Sequence, residues 1–140
     1  MRVFLSSETQ APAGSIISKY RNIVFPILNS LMSENSEKYG NDVELLSIIT
    51  TCVSQEFIND SNWKERNIYH KKDRSTDIRL NIDYAAFIVA SSEKQYQMYL
   101  DNITSSIIQF ALKHPKLDFK SEQLVLDFQL LQYLLNEKYC

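Results

Sequence analysis

Glycine and proline are scarce in this sequence of 140 residues, which contains two glycines and three prolines. Both residue types dominate tight turns and interrupt helices and strands. Their scarcity favours long regular elements over a loop-rich β-sandwich. The two glycines, Gly14 and Gly40, lie too far apart to form a glycine-rich phosphate loop, and no serine occupies a Gly-x-Ser-x-Gly motif.

Cysteine and histidine are equally rare, with two residues of each. Cys52 lies in an apolar run and Cys140 is the last residue. Two such cysteines form no disulfide framework, so we interpret Cys52 as a buried free thiol, with a Cys52–Cys140 disulfide as the alternative. Neither His70 nor His114 has a Cys, His or carboxylate at metal-ligand spacing, so we predict no metal site and no cofactor.

Long apolar runs are also missing. No stretch approaches the roughly 18 apolar residues that span a membrane. The apolar run at residues 3–5 is shorter than the hydrophobic region of a signal peptide, which needs about seven residues. We therefore expect a cytoplasmic protein with no membrane partner. The net charge of −2 provides no global attraction to nucleic acid, so we expect none as a partner.

The apolar residues that are present follow two periods between residues 76 and 112. Ile78, Leu80 and Ile82 alternate with polar residues, which is typical of a half-buried strand. From Tyr84 onward, apolar residues recur every three or four positions, which predicts one long amphipathic helix. This helix is expected to fold back over the apolar face of the strand.

The other elements are predicted by the same periods and by turn residues. Residues 2–7 and 43–53 are predicted strands, with a buried helix as the alternative for 43–53, although the Ile-Ile-Thr-Thr run favours a strand there. Residues 63–70 form a third strand that makes a β-hairpin with 77–83. Residues 57–62 are predicted to form a polar turn. A helix begins at Ser15, and Pro26 is expected to kink it or divide it in two. Ser121 begins a last helix whose inward residues are Leu124, Val125, Phe128, Leu131, Leu134 and Leu135.

The element order β-α-β-β-β-α-α predicts an α+β fold. We expect a single domain over residues 1–140, built on a mostly antiparallel four-stranded sheet with helices packed on one face. The apolar fraction of 44% and the charged fraction of 23% are ordinary for such a domain.

A small hydrolase is one interpretation that the residues leave open. Its candidate groups are Glu56, Asp60 and His70, although no spacing places any two of them together. The absence of a recognisable catalytic pattern favours a protein that is not an enzyme.

A nucleic-acid-binding module is the other open interpretation, and it rests on residues 63–79. Six lysines and arginines fall in this segment beside Trp63 and Tyr69, and a basic patch with aromatic residues is typical of such modules. Acidic residues interleave with these cations, however. That mixture favours a solvated face that partly neutralises itself.

Several stretches together resemble the immunity protein 44 family. They are Trp-Lys-Glu-Arg at 63–66, Tyr-His-Lys-Lys at 69–72, Asp-Ile-Arg-Leu-Asn-Ile-Asp-Tyr-Ala-Ala-Phe at 77–87, and the helical segment at 103–108. Members are small bacterial α+β proteins encoded beside polymorphic toxins. The resemblance implies a protein that neutralises a cognate toxin by direct stoichiometric binding, without catalysis.

Strand alternation suggests which surface would hold such a partner. If Ile78, Leu80 and Ile82 face the helices, the polar residues of the hairpin lie on the opposite face. Tryptophan, tyrosine and arginine are enriched at the energetic centres of interfaces. The predicted partner-binding residues are Trp63, Glu65, Tyr69, Arg74, Asp77, Arg79 and Asp83. The alternative is that they only solubilise an open sheet and pair across strands.

Overall fold

The computed structural model describes the backbone of residues 1–34 and 37–139, with side chains up to Leu134. Strands and helices alternate as far as β3, β4 follows β3 directly, and the rest of the described chain is helical. In chain order the elements are β1 (Arg2–Thr9), α1 (Ala13–Glu34), β2 (Leu45–Cys52), α2 (Gln55–Ser61), β3 (Arg66–His70), β4 (Ser75–Asn81), α3 (Tyr84–Val89), α4 (Ser92–Lys113) and α5 (Ser121–Tyr139).

The four strands form one mixed sheet in the order β1-β2-β4-β3. The β1–β2 and β2–β4 pairs are parallel, and the β3–β4 pair is antiparallel. The α+β class is confirmed, but the expectation of a mostly antiparallel sheet is wrong. The reason lies in the connections. Helix α1 carries the chain from the end of β1 back to the start of β2, as a parallel pair requires, whereas the short turn at 71–74 imposes antiparallel pairing on β3 and β4.

The position of each strand in the sheet follows from its polarity. Strand β4 lies inside the sheet and carries the apolar alternation, with Ile78 and Leu80 buried. Strand β3 is short and polar, with Arg66 and His70 at its two ends, and it forms an edge. Short, charged strands are typical of edges, because they discourage pairing with other chains.

The helices pack on one face of the sheet, as predicted. Helices α1 and α4 contact the strands, and α5 packs against α1 and α4. The sheet residues buried beneath them are Val3, Leu5, Leu46, Ile48, Ile78 and Leu80. Fully burying one such side chain stabilises the fold by about 1.5–3 kcal/mol. This layer of apolar side chains leaves the other face of the sheet outside the core.

The long helix predicted from Tyr84 to Leu112 is divided in two. Helix α3 ends at Val89, and α4 begins at Ser92 after the N-cap Ser91. The Ser91 hydroxyl accepts the backbone N–H of Lys94 at 3.2 Å, which satisfies a donor that the first turn of a helix leaves free. The chain therefore changes direction at Ser91 although the apolar spacing continues through it.

Two other helices differ from their predictions. Residues 57–62 lie largely in the short helix α2, capped by the Ser54 hydroxyl, which accepts the N–H of Phe57 at 3.1 Å. The expected turn is reduced to Asn62, the C-cap, with φ 57°. Helix α1 runs through Pro26 as one element, so the division into two helices is wrong.

The last helix buries Leu124, Val125 and Phe128 as predicted, but Leu134 is more than half exposed. The side chain of Leu135 lies outside the described residues, as does Cys140, and with it the proposed disulfide. Cys52 is fully buried as a free thiol, and burial raises its pKa to about 12, with a smaller contribution from Asp83.

In the part of the chain that the structure describes, no helix is long and apolar enough to cross a membrane.

Candidate protein-binding face

The face of the sheet opposite the helices, which we call the open face, collects outward-pointing residues from all four strands. The strand register arranges them in transverse rows, with Phe4 beside Ser47 and Ile68 beside Asp77. Phe4 and Ile68 stand at opposite edges of the sheet and are 55% and 42% exposed. The open face therefore has an apolar side chain at each edge, although Phe4 also borders a groove that Phe25 and Pro26 of α1 help to line.

Arg79 is the most constrained charge on this face, because it contacts three residues in two separate segments of the chain. Its guanidinium lies over the ring of Trp63, 4.8 Å from the ring centre. Nε and Nη2 both donate to the carbonyl of Lys64, and Nη1 lies 3.7 Å from a carboxylate oxygen of Glu8 on β1. The side chain is only 15% exposed. Arg79 thus holds the segment before β3 and the end of β1 against β4.

Arg66 and Asp77 form a second charged contact between the two strands of the hairpin. Nη2 of Arg66 lies 3.5 Å from Oδ1 of Asp77, and both side chains remain partly exposed. Ile68 lies directly opposite Asp77 in the strand register. An exposed apolar side chain and a partly exposed ion pair therefore lie next to each other.

The structure brings only three of the seven predicted partner-binding residues together on this face: Trp63, Asp77 and Arg79. Tyr69 points the other way. Its ring centre lies 6.2 Å from that of Phe110 on α4, and its hydroxyl donates to the carbonyl of Asp42. Burial raises the pKa of this hydroxyl, and nearby Asp42 adds to the effect. Tyr69 therefore stabilises the contact between the hairpin and the helices.

The remaining three predicted residues lie at the ends of the hairpin strands. Arg74 is in the turn with φ 54° and donates to the carbonyl of Asn41 at 2.9 Å. Glu65 accepts the backbone N–H of Asn81 at 3.1 Å. Asp83 is the N-cap of α3. These residues have local structural contacts and do not join Trp63 and Arg79 in one cluster.

Sequence reasoning missed three residues of the open face, namely Phe4, Arg66 and Ile68. The alternation of β1 contained the signal for Phe4, because Val3 and Leu5 on either side of it are buried. Segment 63–70 carries polar and apolar residues at both alternating positions, so its pattern did not determine which side faces out.

A polar cleft of about 330 Å³ opens where β4 meets α4. Glu65, Asp83 and Asp101 are among its lining residues, together with the amides of Asn81 and Asn102. No group of three or more His, Cys, Asp or Glu residues within the described chain is arranged to hold a metal ion. The cleft adds negative charge at one end of the hairpin.

The groups considered for catalysis and for nucleic-acid binding are dispersed. Glu56 and Asp60 lie on α2, before the start of β3, whereas His70 ends that strand. The length of β3 therefore separates the histidine from the two carboxylates. Among the six cations of the hairpin region, Arg66, Arg74 and Arg79 each lie within 4 Å of a carboxylate. Such pairing reduces the positive potential that a phosphate backbone would meet.

Comparison with known proteins identifies a family. No curated protein and no solved structure matches the chain. The sequence model of the immunity protein 44 family, however, matches residues 1–131, a range that includes all four strands and every residue of the open face. The resemblance seen at residues 63–112 is thereby confirmed and extended, and the chain belongs to the immunity protein 44 family.

Proposed function

We propose that this protein neutralises a cognate toxin by binding it directly in the cytoplasm, with one immunity protein per toxin and no catalytic step. Membership of the immunity protein 44 family is the observation that carries the proposal. An immunity protein must recognise its toxin, and recognition requires a surface with apolar anchors and matched charges.

We further propose that the open face is that surface. Phe4 and Ile68 offer exposed apolar area at its edges. Next to Ile68, the Arg66–Asp77 pair offers both charge signs at partly exposed positions. Apolar side chains that become fully buried supply most of the binding energy of an interface, while charges set the association rate and the choice of partner.

The contacts of Arg79 support this placement because they fix Trp63 before any partner arrives. The cation–π contact with Trp63 and the hydrogen bonds to Lys64 determine where the indole lies. A large aromatic side chain that is already ordered loses little conformational entropy on binding. Paired strands also change little in backbone conformation between free and bound states.

The test combines protection in cells with a titration in vitro. Cells that express the toxin encoded beside this gene should survive when the protein is co-expressed, and the two should co-purify. In vitro, inhibition of the toxin should be complete at one molar equivalent and linear below it. Inhibition at far below one equivalent would indicate catalysis and overturn stoichiometric binding. Absence of both protection and a complex would overturn the function itself.

A measurement of nucleic-acid binding tests the alternative interpretation, in which the protein is a nucleic-acid-binding module. Fluorescence anisotropy with labelled duplex DNA and single-stranded RNA at about 50 mM salt would detect even non-specific phosphate contacts. We expect no binding. Affinity that falls steeply as salt rises would instead favour a nucleic-acid-binding module.

A further inference from the structure

Helix α5 is apolar on two opposite sides. Its inner side buries Leu124, Val125 and Phe128 against the rest of the fold. Its outer side carries four more large side chains, each more than half exposed: Leu126, Leu130, Tyr133 and Leu134. We call these four the α5 stripe. Their spacing of four, seven and eight residues places them on one side of a helix.

The α5 stripe is one patch along a single side of the helix and not a set of scattered side chains. Single exposed apolar residues are normal, but contiguous apolar patches mark interaction sites. An amphipathic surface helix normally has one apolar side, so a second apolar side needs a separate explanation. The stripe continues into a groove of about 210 Å³ between α1 and α5, which Leu31, Leu130 and Leu134 help to line. The groove is large enough to receive part of an apolar side chain.

We propose that the α5 stripe is a self-association surface and that its occupant is a second copy of this chain, packed antiparallel about a two-fold axis near Leu130. In that arrangement Leu130 meets the partner's Leu130, and Leu126 meets the partner's Leu134, four residues away on each side. Self-complementary contacts of this kind are what a two-fold interface requires.

The charge distribution favours a second copy over an unlike, charged partner. The stripe itself carries no charge, and Asp127 beside it is neutralised by Lys38, 2.9 Å away. Two copies can therefore approach without like-charge repulsion at the centre of the contact. A strongly charged partner would find no complementary charge there.

The available area is consistent with a dimer of modest affinity. The four side chains expose roughly 400 Å² in each copy, about half of the 800 Å² or so that one partner contributes to a standard interface. Two copies would bury about 800 Å² in total through these side chains, which is at the small end of specific interfaces and fits weak association. Because α5 packs on the helix layer, this dimer would leave the open face accessible, so the inference does not depend on the proposed function.

Sedimentation velocity of the full chain, over about 5–500 μM, tests the inference. The wild type should shift from monomer to dimer as concentration rises. Leu126→Asp and Leu130→Asp should each weaken dimerisation at least 30-fold. Leu112→Asp is the matched control, since Leu112 is 74% exposed on α4 and lies outside the stripe.

Thermal melts of each variant show whether it remains folded, and two independent positions guard against one variant failing to fold. A monomeric wild type at the highest concentration would overturn the inference. So would a dimer that survives both substitutions, or one that Leu112→Asp disrupts equally.

Discussion

The guanidinium of Arg79 lies 4.8 Å from the centre of the Trp63 ring, and the same group donates to the carbonyl of Lys64 next in the chain. A residue expected from sequence to contact a partner is therefore mainly a contact within the fold. With 15% of its side chain exposed, Arg79 has little surface left for a toxin. Trp63, which it positions, remains partly exposed.

Replacing Arg79 with lysine should therefore lower the free energy of unfolding by about 1–2 kcal/mol. Lysine keeps the charge but loses the planar group that stacks on Trp63 and donates twice to Lys64. Urea unfolding followed by the fluorescence of Trp63, the only tryptophan, measures the change directly.

Arg66→Lys is the matched control for that substitution. Arg66 contributes a single, partly exposed ion pair with Asp77, so its replacement should cost at most about 0.5 kcal/mol. Equal losses for Arg66→Lys and Arg79→Lys would show that the contacts of Arg79 add nothing beyond an ordinary surface pair.

A second prediction concerns the buried amide that joins α4 to the sheet. Asn102 accepts from the hydroxyl of Thr50 at 2.8 Å and donates to the carbonyl of Leu80 at 3.1 Å. Asn102→Ala should destabilise the protein by about 1–3 kcal/mol, because the buried Thr50 hydroxyl loses its acceptor and the Leu80 carbonyl keeps only the Thr51 hydroxyl as a side-chain donor. Thermal or urea unfolding measures the loss.

The double variant Thr50→Val/Asn102→Ala tests whether the loss arises from this contact. Removing both partners should cost at least about 1 kcal/mol less than the sum of the single changes. Strict additivity would mean that the two side chains do not interact in solution.

The local pattern of β4 was sufficient to place its side chains. Ile78 and Leu80 are buried as predicted, because a strand has only two faces and one of them was apolar. The direction in which β4 pairs with its neighbouring strands could not be predicted in this way. It depends on which strand lies beside β2, and alternation within β4 carries no information about its neighbours. The helix between β1 and β2 is the feature of the sequence that indicates parallel pairing of these two strands.

The differences in side-chain placement at the candidate site have a similar cause. The sequence predicts Tyr69 on the open face, but Arg66 and Ile68 face outward, so Tyr69 must face the helices. Polar and apolar residues occupy both alternating positions of this strand, and tertiary packing selected between them. The break at Ser91 was hidden because apolar spacing ran through it, although Ser-Ser-Glu at 91–93 is a helix-start signal.

A third prediction follows from the pKa of Asp127. The hydrogen bond from Lys38 lowers the pKa of this carboxyl below its ordinary value of 3.8, and one from Tyr39 adds to the effect against the opposing influence of burial. A carboxyl whose pKa is depressed by folding stabilises the native state above the unfolded pKa, and this contribution is lost as pH falls through the folded pKa.

Asp127→Asn should therefore be less stable than the wild type at neutral pH and should lose less stability on acidification. Urea midpoints between about pH 6 and pH 2.5 give the comparison. Lys38→Met, which removes the main cause of the shift, should flatten the same part of the profile. Parallel profiles for wild type and both variants would contradict the assignment.

A fourth prediction concerns Gly40, where the chain passes close to the connection between α4 and α5. Its φ is 98°, and a Cβ atom there would lie 2.1 Å from the carbonyl oxygen of Asp118. Gly40→Ala should cost at least about 2 kcal/mol, since both the backbone conformation and the close approach exclude a side chain. Chemical unfolding measures this loss in the free energy of unfolding.

Gly14→Ala provides the comparison. Gly14 lies in the first turn of α1, where an added Cβ would meet only the Thr9 hydroxyl, at 2.7 Å, and that side chain can rotate. Alanine also favours the helix by up to about 1 kcal/mol. A loss at Gly14 as large as that at Gly40 would argue against the tight contact at Asp118.

The last prediction separates the structural role of the Arg66–Asp77 pair from a role in binding. Arg66→Asp or Asp77→Arg alone places like charges next to each other, which should cost no more than about 1 kcal/mol of stability at these partly exposed positions. The double exchange Arg66→Asp/Asp77→Arg restores an ion pair and should return the urea midpoint towards the wild type.

A toxin bound to the open face would still meet reversed charges, so its affinity should stay at least about 2 kcal/mol, or 30-fold, below the wild type in all three variants. Lys94→Glu, an exposed charge reversal on α4, should leave affinity unchanged. Isothermal titration gives each Kd. Recovery of affinity in the double exchange would mean that the pair acts only through folding, and full affinity in every variant would place the toxin on another surface.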